Sequence, residues 1–215
     1  MPRASAADAA RTAAAVLDAA TRRFSDQGYQ AVSIDEIAQE AGVTRGAVYH
    51  HFGDKAGVMR AVAGRAHERI AATVTRHAER HADPAAQLRE GCHVFLDAIT
   101  EGAVARLLLV EAPAALGWDT WRALDAAASA AELRAVLEIL LGPGHFTDAA
   151  TQLLSGGMNE AALWLADRPD DDSARIATHS VLDALISAVL AGQADHSSTE
   201  IVPGAGPGSD RVGEG

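Results

Sequence analysis

Cysteine is almost missing from this chain: Cys92 is the only one in 215 residues. A single thiol excludes an internal disulfide and fits a reducing cytosol, so packing has to hold the fold together. Aromatic residues make up only 4%, while 48% of the chain is apolar and much of that is alanine. That balance disfavours a β-sandwich and predicts an all-α protein. No apolar run approaches the roughly eighteen residues that suggest a bilayer span. No signal peptide precedes the first helical pattern, so a cytoplasmic protein without a membrane partner is expected. Positive charge is also short, with 18 Lys and Arg against 29 Asp and Glu, a net charge of −11. A basic domain is the usual footprint of nucleic-acid binding, and the whole chain does not have one. The deficit is uneven, however. Residues 1–60 carry seven basic and seven acidic side chains, and residues 61–215 carry eleven against twenty-two. A neutral head on an acidic body would offer a polyanion only the head, with modest and strongly salt-dependent non-specific affinity.

The most informative stretch is Ser33 to Phe52, SIDEIAQEAGVTRGAVYHHF. Ser33-x-x-Glu36 is a capping box, in which the serine hydroxyl and the glutamate carboxylate each satisfy an orphan helix N–H. Ile34, Ile37, Ala38 and Ala41 then recur at spacings of three and four, on one helical face. Gly42 stands where that helix must stop and turn, because glycine tolerates positive φ. Thr44 can cap a second short helix reaching about His51, with Val48 directed back at the first. Two short helices crossing closely at a glycine turn read as a helix-turn-helix, whose second helix enters the major groove of DNA.

The block that follows sharpens this reading. Thr44-Arg45-Gly46-Ala47-Val48-Tyr49-His50-His51-Phe52-Gly53-Asp54-Lys55 resembles the DNA-binding domain of the TetR family of transcriptional regulators. That family shows a glycine and a valine in the recognition helix, then Tyr-x-His-Phe and a lysine shortly after. The resemblance covers about residues 10–62; the rest is similar to the family in layout alone. It implies that Thr44, Arg45, Gly46, Tyr49 and His50 line the outward face of the recognition helix, with His51 and Phe52 turned toward the core. Arg45 is the expected base reader, since its guanidinium fork suits guanine O6 and N7. Tyr49 and His50 would touch phosphate or a thymine methyl. Ser33 and Lys55, each at a helix N-terminus, are placed for backbone phosphate.

Taken in order, residues 1–8 read as a flexible arm from which Arg3, together with Arg11 just beyond it, could reach a phosphate or the minor groove. A helix from about Asp8 to Gln27 buries Val16 or Leu17, Ala20 and Phe24, and Gly28 ends it; with the helix-turn-helix it forms a three-helix head over residues 9–60. From Asp54 a long helix runs to about His81 and links the head to a helical ligand-binding and dimerisation domain, residues 61–192. Asp83-Pro84 breaks that helix. Further helices are expected at about 85–101, at 103–111 before Pro113, and at 116–141 as one helix or two. Gly142-Pro143-Gly144 is a turn. The last two helices, about 147–166 and 172–191, are apolar nearly all round and so need cover on more than one side. Burial in the core of a monomer would answer that need, and so would a homodimer formed through them, which the resemblance implies. Residues 193–215, rich in Gly, Ser and Pro, read as a disordered tail.

The resemblance also implies an effector pocket among the middle helices. Phe95, Ile99, Leu108, Trp118, Trp121, Met158, Asn159 and Trp164 are the candidate lining residues. Trp118 and Trp121 suit a small apolar or aromatic effector, and Asn159 or Glu111 offers a polar anchor. No cofactor, metal or catalytic group is expected. His77 and His81 stand four apart, but no carboxylate or thiolate motif completes a metal site. Cys92 and His93 diverge by about 100° on a helix and have no third partner for nucleophilic catalysis. The expectation is a homodimeric repressor on a near-palindromic operator, released by the effector. An activator or a co-repressor-dependent repressor shares every motif, and a helical enzyme or carrier that has lost DNA binding is the rival from another class.

Overall fold

Short capped helices build the first part of the molecule. The computed structural model describes residues 6–199, and among them there is no strand. The head comprises α1 (Ala6–Gln27), α2 (Ile34–Glu40) and α3 (Arg45–Phe52). Helix α1 buries Val16, Ala19, Ala20 and Phe24; α2 adds Ile34, Ile37 and Ala38; α3 contributes Val48. Burying an apolar side chain of this size stabilises by about 1.5–3 kcal/mol, so this small set is the core of the head. On the outside, Arg22 and Arg23 of α1 both donate to Glu40 at the end of α2, at 2.9 and 2.6 Å. Such exposed pairs add little stability, but they fix the angle of α2 on α1.

Helix α4 (Lys55–Ala78) carries the head into the body. Its first turns bury Val58, Met59, Val62 and Ala63 in the head core, and Ile70 lies further along. Arg65 ties it to α1 by bonds to Asp18 and Thr21, at 2.7 and 2.9 Å. The helix stops at Ala78, before His81, because the chain must extend at Asp83 to cap the next helix; the Asp83 carboxylate accepts from Ala86 N–H at 3.1 Å. Helix α5 (Pro84–Thr100) then packs back along α4.

Beyond α5 the path departs from expectation. Helices α6 (Val104–Arg106) and α7 (Ala112–Leu116) are joined by a π-helical turn, Leu107–Glu111, so the helical path continues through Pro113. Proline lacks the N–H that a regular helix requires. The wider turn absorbs the defect: Ala112 N–H bonds back to Leu107 O, five residues earlier. Leu108 O, whose donor at that spacing would be Pro113, accepts instead from the buried indole Nε1 of Trp121 at 2.7 Å. The stretch 116–141 divides into α8 (Trp118–Ala127) and α9 (Ser129–Leu141).

The last helices, α10 (His145–Ala166) and α11 (Asp172–Thr199), close the body. Helix α11 runs through residues 193–199, where the sequence predicts a tail; the remainder of that tail lies outside the described residues. At the other end, α1 takes up Ala6 to Asp8 of the expected arm, and Arg3 lies outside the described residues. Within α11, Asp172–Gly192 is long and apolar enough to cross a membrane by length and composition, with mean hydropathy 1.4. One side of it is polar and engaged with α5, however. Arg89 donates to Asp183 O and to Ser187 Oγ, and His93 and His179 face Asp183 and Asp97 at 3.0 and 3.1 Å.

Candidate nucleic-acid interface and cavity

Local chemistry shapes the helix-turn-helix. Ser33 N–H donates to the Glu36 carboxylate at 2.7 Å and Glu36 N–H donates to Ser33 Oγ at 3.2 Å, completing the capping box. The serine hydroxyl and backbone hold the Glu36 carboxyl below its ordinary range. Gly42 turns the chain at φ +67°, and Thr44 Oγ1 accepts from Ala47 N–H to start α3.

These caps leave an open polar face on α3. Arg45 is exposed and held in a fork: one arm donates to Asp35 of α2 at 3.0 Å, the other to Tyr49 Oη at 3.2 Å. The guanidinium also lies 5.4 Å from the Tyr49 ring centroid. Arg45 is therefore held in one orientation by two exposed partners. His50 is exposed beside it, His51 is half-buried, and Phe52 packs against the head core. Gly46 is informative for what it does not touch. A β-carbon there would meet only Thr44 Oγ1, at 3.9 Å, so nothing inside the protein requires glycine. Glycine in a helix costs about 1 kcal/mol relative to alanine, and close approach of an outside backbone is the usual compensation.

Lys55, at the start of α4, has partners within the head. Its ammonium sits 4.3 Å over the Tyr29 ring centroid and donates to Gln30 O at 3.3 Å, and burial lowers its pKa. It braces the α1–α2 connection. Glu111 corrects the sequence reading. Its carboxylate does not enter a pocket; it accepts from Tyr29 N–H at 2.8 Å and pairs with Arg106 at 3.2 Å. The π-helical turn aims this side chain at the head, making a direct link between body and head that sequence spacing did not reveal.

A cavity of about 300 Å³ lies among α4, α5, α9 and α10. Its walls include Val74, Leu88, Cys92, Phe95, Leu133 and Met158. Phe95 and Met158 are the two expected lining residues that reach it. Ile99 and Leu108 are core, and Trp121 is buried with its indole committed to Leu108 O. Trp118 stacks at 4.9 Å on Trp121 but is 65% exposed. Asn159 is buried, with its Oδ1 unpartnered. Trp164 lines a separate surface groove between α10 and α11, with Leu153, Val181 and Leu185. Those three are 77%, 60% and 52% exposed, so both helices leave an apolar face uncovered.

The groups weighed for metal or nucleophilic chemistry are otherwise placed. His77 Nδ1 meets Thr73 O at 2.8 Å, while His81 lies beyond the end of α4 and 4.0 Å from Glu90. Burial, with Asp183 nearby, pushes the Cys92 thiol up to about 12, and His93 turns away to Asp183.

A capped helix-turn-helix head on a wholly helical body defines a class of DNA-binding regulators. Two family descriptions fit its two parts: "Bacterial regulatory proteins, tetR family" over residues 16–62 and "Tetracyclin repressor-like, C-terminal domain" over residues 85–189. The chain belongs to the TetR family of transcriptional regulators. It is 48% identical over 62 residues to the HTH-type transcriptional regulator SrpR of Pseudomonas putida, a match spanning 29% of each chain. It is 32% identical over 133 residues to the A-factor receptor protein of Streptomyces griseus, covering 59% of this chain and 45% of that protein. The chain thus spans under half the length of these two relatives. Among solved structures, a TetR-family regulator from Pectobacterium atrosepticum superposes with a TM-score of 0.65 at 28% identity, over 85% of this chain and 95% of that one.

Proposed function

We propose that this protein is a homodimeric repressor that binds a near-palindromic operator and is released by a small apolar or aromatic effector. The observation that carries the DNA reading is the face of α3: Arg45 exposed, pre-oriented by Asp35 and Tyr49, beside a glycine that no internal packing requires. Arg45 reads a guanine edge in the major groove, Tyr49 and His50 flank it, and the α2 N-terminus at Ser33 faces phosphate. The uncovered apolar face of α10 and α11 supports the dimer. Two heads then address major grooves about 34–36 Å apart, or a multiple of that.

Release runs through two physical links. Helix α4 carries the cavity wall at Val74 and the head core at Val58 and Met59 on one rod. The second link is Glu111, which holds the Tyr29 N–H from the body side. An effector that favours a different packing of α4 against α5 and α9 changes the spacing of the heads. Coupling free energies of about 1–3 kcal/mol give a 5–150-fold change in operator affinity.

The test is a fluorescence-anisotropy titration of the full chain against duplex from upstream of its own gene, at two salt concentrations, with scrambled duplex as control. Tight, salt-sensitive binding is expected, weakened in Arg45→Ala by about 1–3 kcal/mol per lost base contact. Equal affinity of wild type and Arg45→Ala for the two duplexes would overturn the assignment of base reading to α3.

A further inference from the structure

The polar groups of the cavity among α4, α5, α9 and α10 share one electrostatic character. Glu79 and Glu132 line it, and no Lys, Arg or His does. Neither carboxylate has an ion-pair partner among the described residues. The guanidinium nearest in sequence to Glu132 is committed elsewhere: Arg134 pairs with Glu138 and Asp148. The final turn of α4, whose last carbonyls carry partial negative charge, borders the same space at Thr75 and Ala78.

Two hydroxyls point independently to an occupant. Ser155 is only 7% exposed, lines the cavity and has no hydrogen-bond partner among the described residues. Ser129, also on the wall, has a fully buried Oγ with no hydrogen-bond partner among the described residues. Buried polar groups are normally satisfied, and these two hydroxyls on an apolar wall offer hydrogen-bonding partners to whatever the cavity takes. Burial also raises the Glu132 carboxyl above its ordinary range, the response of a carboxylate with no cation beside it.

We propose that this cavity takes a small amphipathic cation. Its apolar or aromatic body rests against Phe95 and Met158, its amine or ammonium faces Glu132 and Glu79, and Ser129 and Ser155 accept from any N–H it carries. The proposal rests on the effector reading above and adds the sign of the charge. Carboxylate effectors are excluded by the same field, because two unpaired acidic groups would repel them.

Three probes with one apolar body test it: phenylbutylamine, phenylbutanol and phenylbutyrate, titrated calorimetrically into the full chain at neutral pH. The amine is expected to bind tightest, by about fivefold over the alcohol, as a partly exposed ion pair supplies. In Glu79→Gln/Glu132→Gln that preference disappears and the alcohol binds as before; far-ultraviolet circular dichroism checks that the variant folds. Phenylbutyrate binding as tightly as the amine, or an amine preference that survives the double substitution, overturns the proposal. Equal binding of all three overturns the charge assignment and leaves the cavity as an effector site. No binding by any probe removes the cavity from both readings.

Discussion

Head and body are built from the same element, yet their helices are positioned differently. In the head, α2, α3 and α4 each begin at a side chain that caps its own helix: Ser33, Thr44 and Asp54. In the body, Asp83 caps α5 and Asp171 accepts from Ala174 N–H at 3.0 Å to start α11, but α6, α8, α9 and α10 begin at Ala103, Gly117, Ala128 and Gly144 with no side-chain cap. The head is thus specified residue by residue, which suits a surface that must match a rigid duplex. The body is specified by packing and contains a cavity, a π-helical turn and an uncovered apolar face. Those are the features that the proposed ligand-responsive dimer would use to move.

The comparison breaks first at the α10–α11 face. Leu185→Glu should convert the proposed dimer to monomer in sedimentation velocity and weaken operator binding by about a hundredfold or more, because two linked heads would gain roughly that much by avidity. A dimer that survives with unchanged DNA affinity would return this face to solvent. Next comes the link between the parts. Glu111→Ala leaves Tyr29 N–H without its acceptor, a loss of about 1–3 kcal/mol. Faster hydrogen exchange should appear at Tyr29 while α2 and α3 stay protected; unchanged exchange there would show that the bond does not hold the head.

Gly46→Ala sharpens the contrast because stability and function should move in opposite directions. Thermal stability is expected to rise by about 1 kcal/mol, while operator affinity falls as the new methyl crowds the DNA backbone. If both rise, Gly46 has no role in close approach. Smaller again is the loss of one cap: Ser33→Ala should cost about 1 kcal/mol, with no change in oligomeric state.

His67 on α4 provides a pH test of the body. It is buried with neither ring nitrogen partnered among the described residues, and burial lowers its pKa from 6.5 despite the nearby Asp125 carboxylate. A base with a depressed folded pKa contributes fully above its unfolded value. As pH falls below 6.5, the unfolded chain takes up a proton that the fold resists, and stability declines until the lowered folded pKa is reached. Thermal melts should therefore drop on acidification below that point, and His67→Leu should flatten this part of the profile. An unchanged slope would assign the acid response to other groups.

The head was legible because its signals are local. A capping box, a glycine turn and a Tyr-x-His-Phe pattern act within a few residues, so Ser33, Gly42, Thr44 and Val48 stand where the sequence puts them. The Tyr29 partner of Lys55 was not legible, since only the fold brings that ring beneath its ammonium. In the body, residue type was a poor guide to the cavity. Trp118 and Trp121 have the size for an apolar ligand, but one faces solvent and the other repairs the hydrogen bond that Pro113 cannot make. Glu111 has the chemistry of a ligand anchor, and a wider helical turn points it at the head instead.

Periodicity, caps and turn residues act over one or two helical turns, so the chain order of helices and the exposed face of α3 follow from the residues themselves. Which side chains meet across the body depends on how long helices rotate against one another. That rotation is set by contacts between residues distant in the chain, such as Trp121 with Leu108 or Arg89 with Asp183, and no local spacing encodes it.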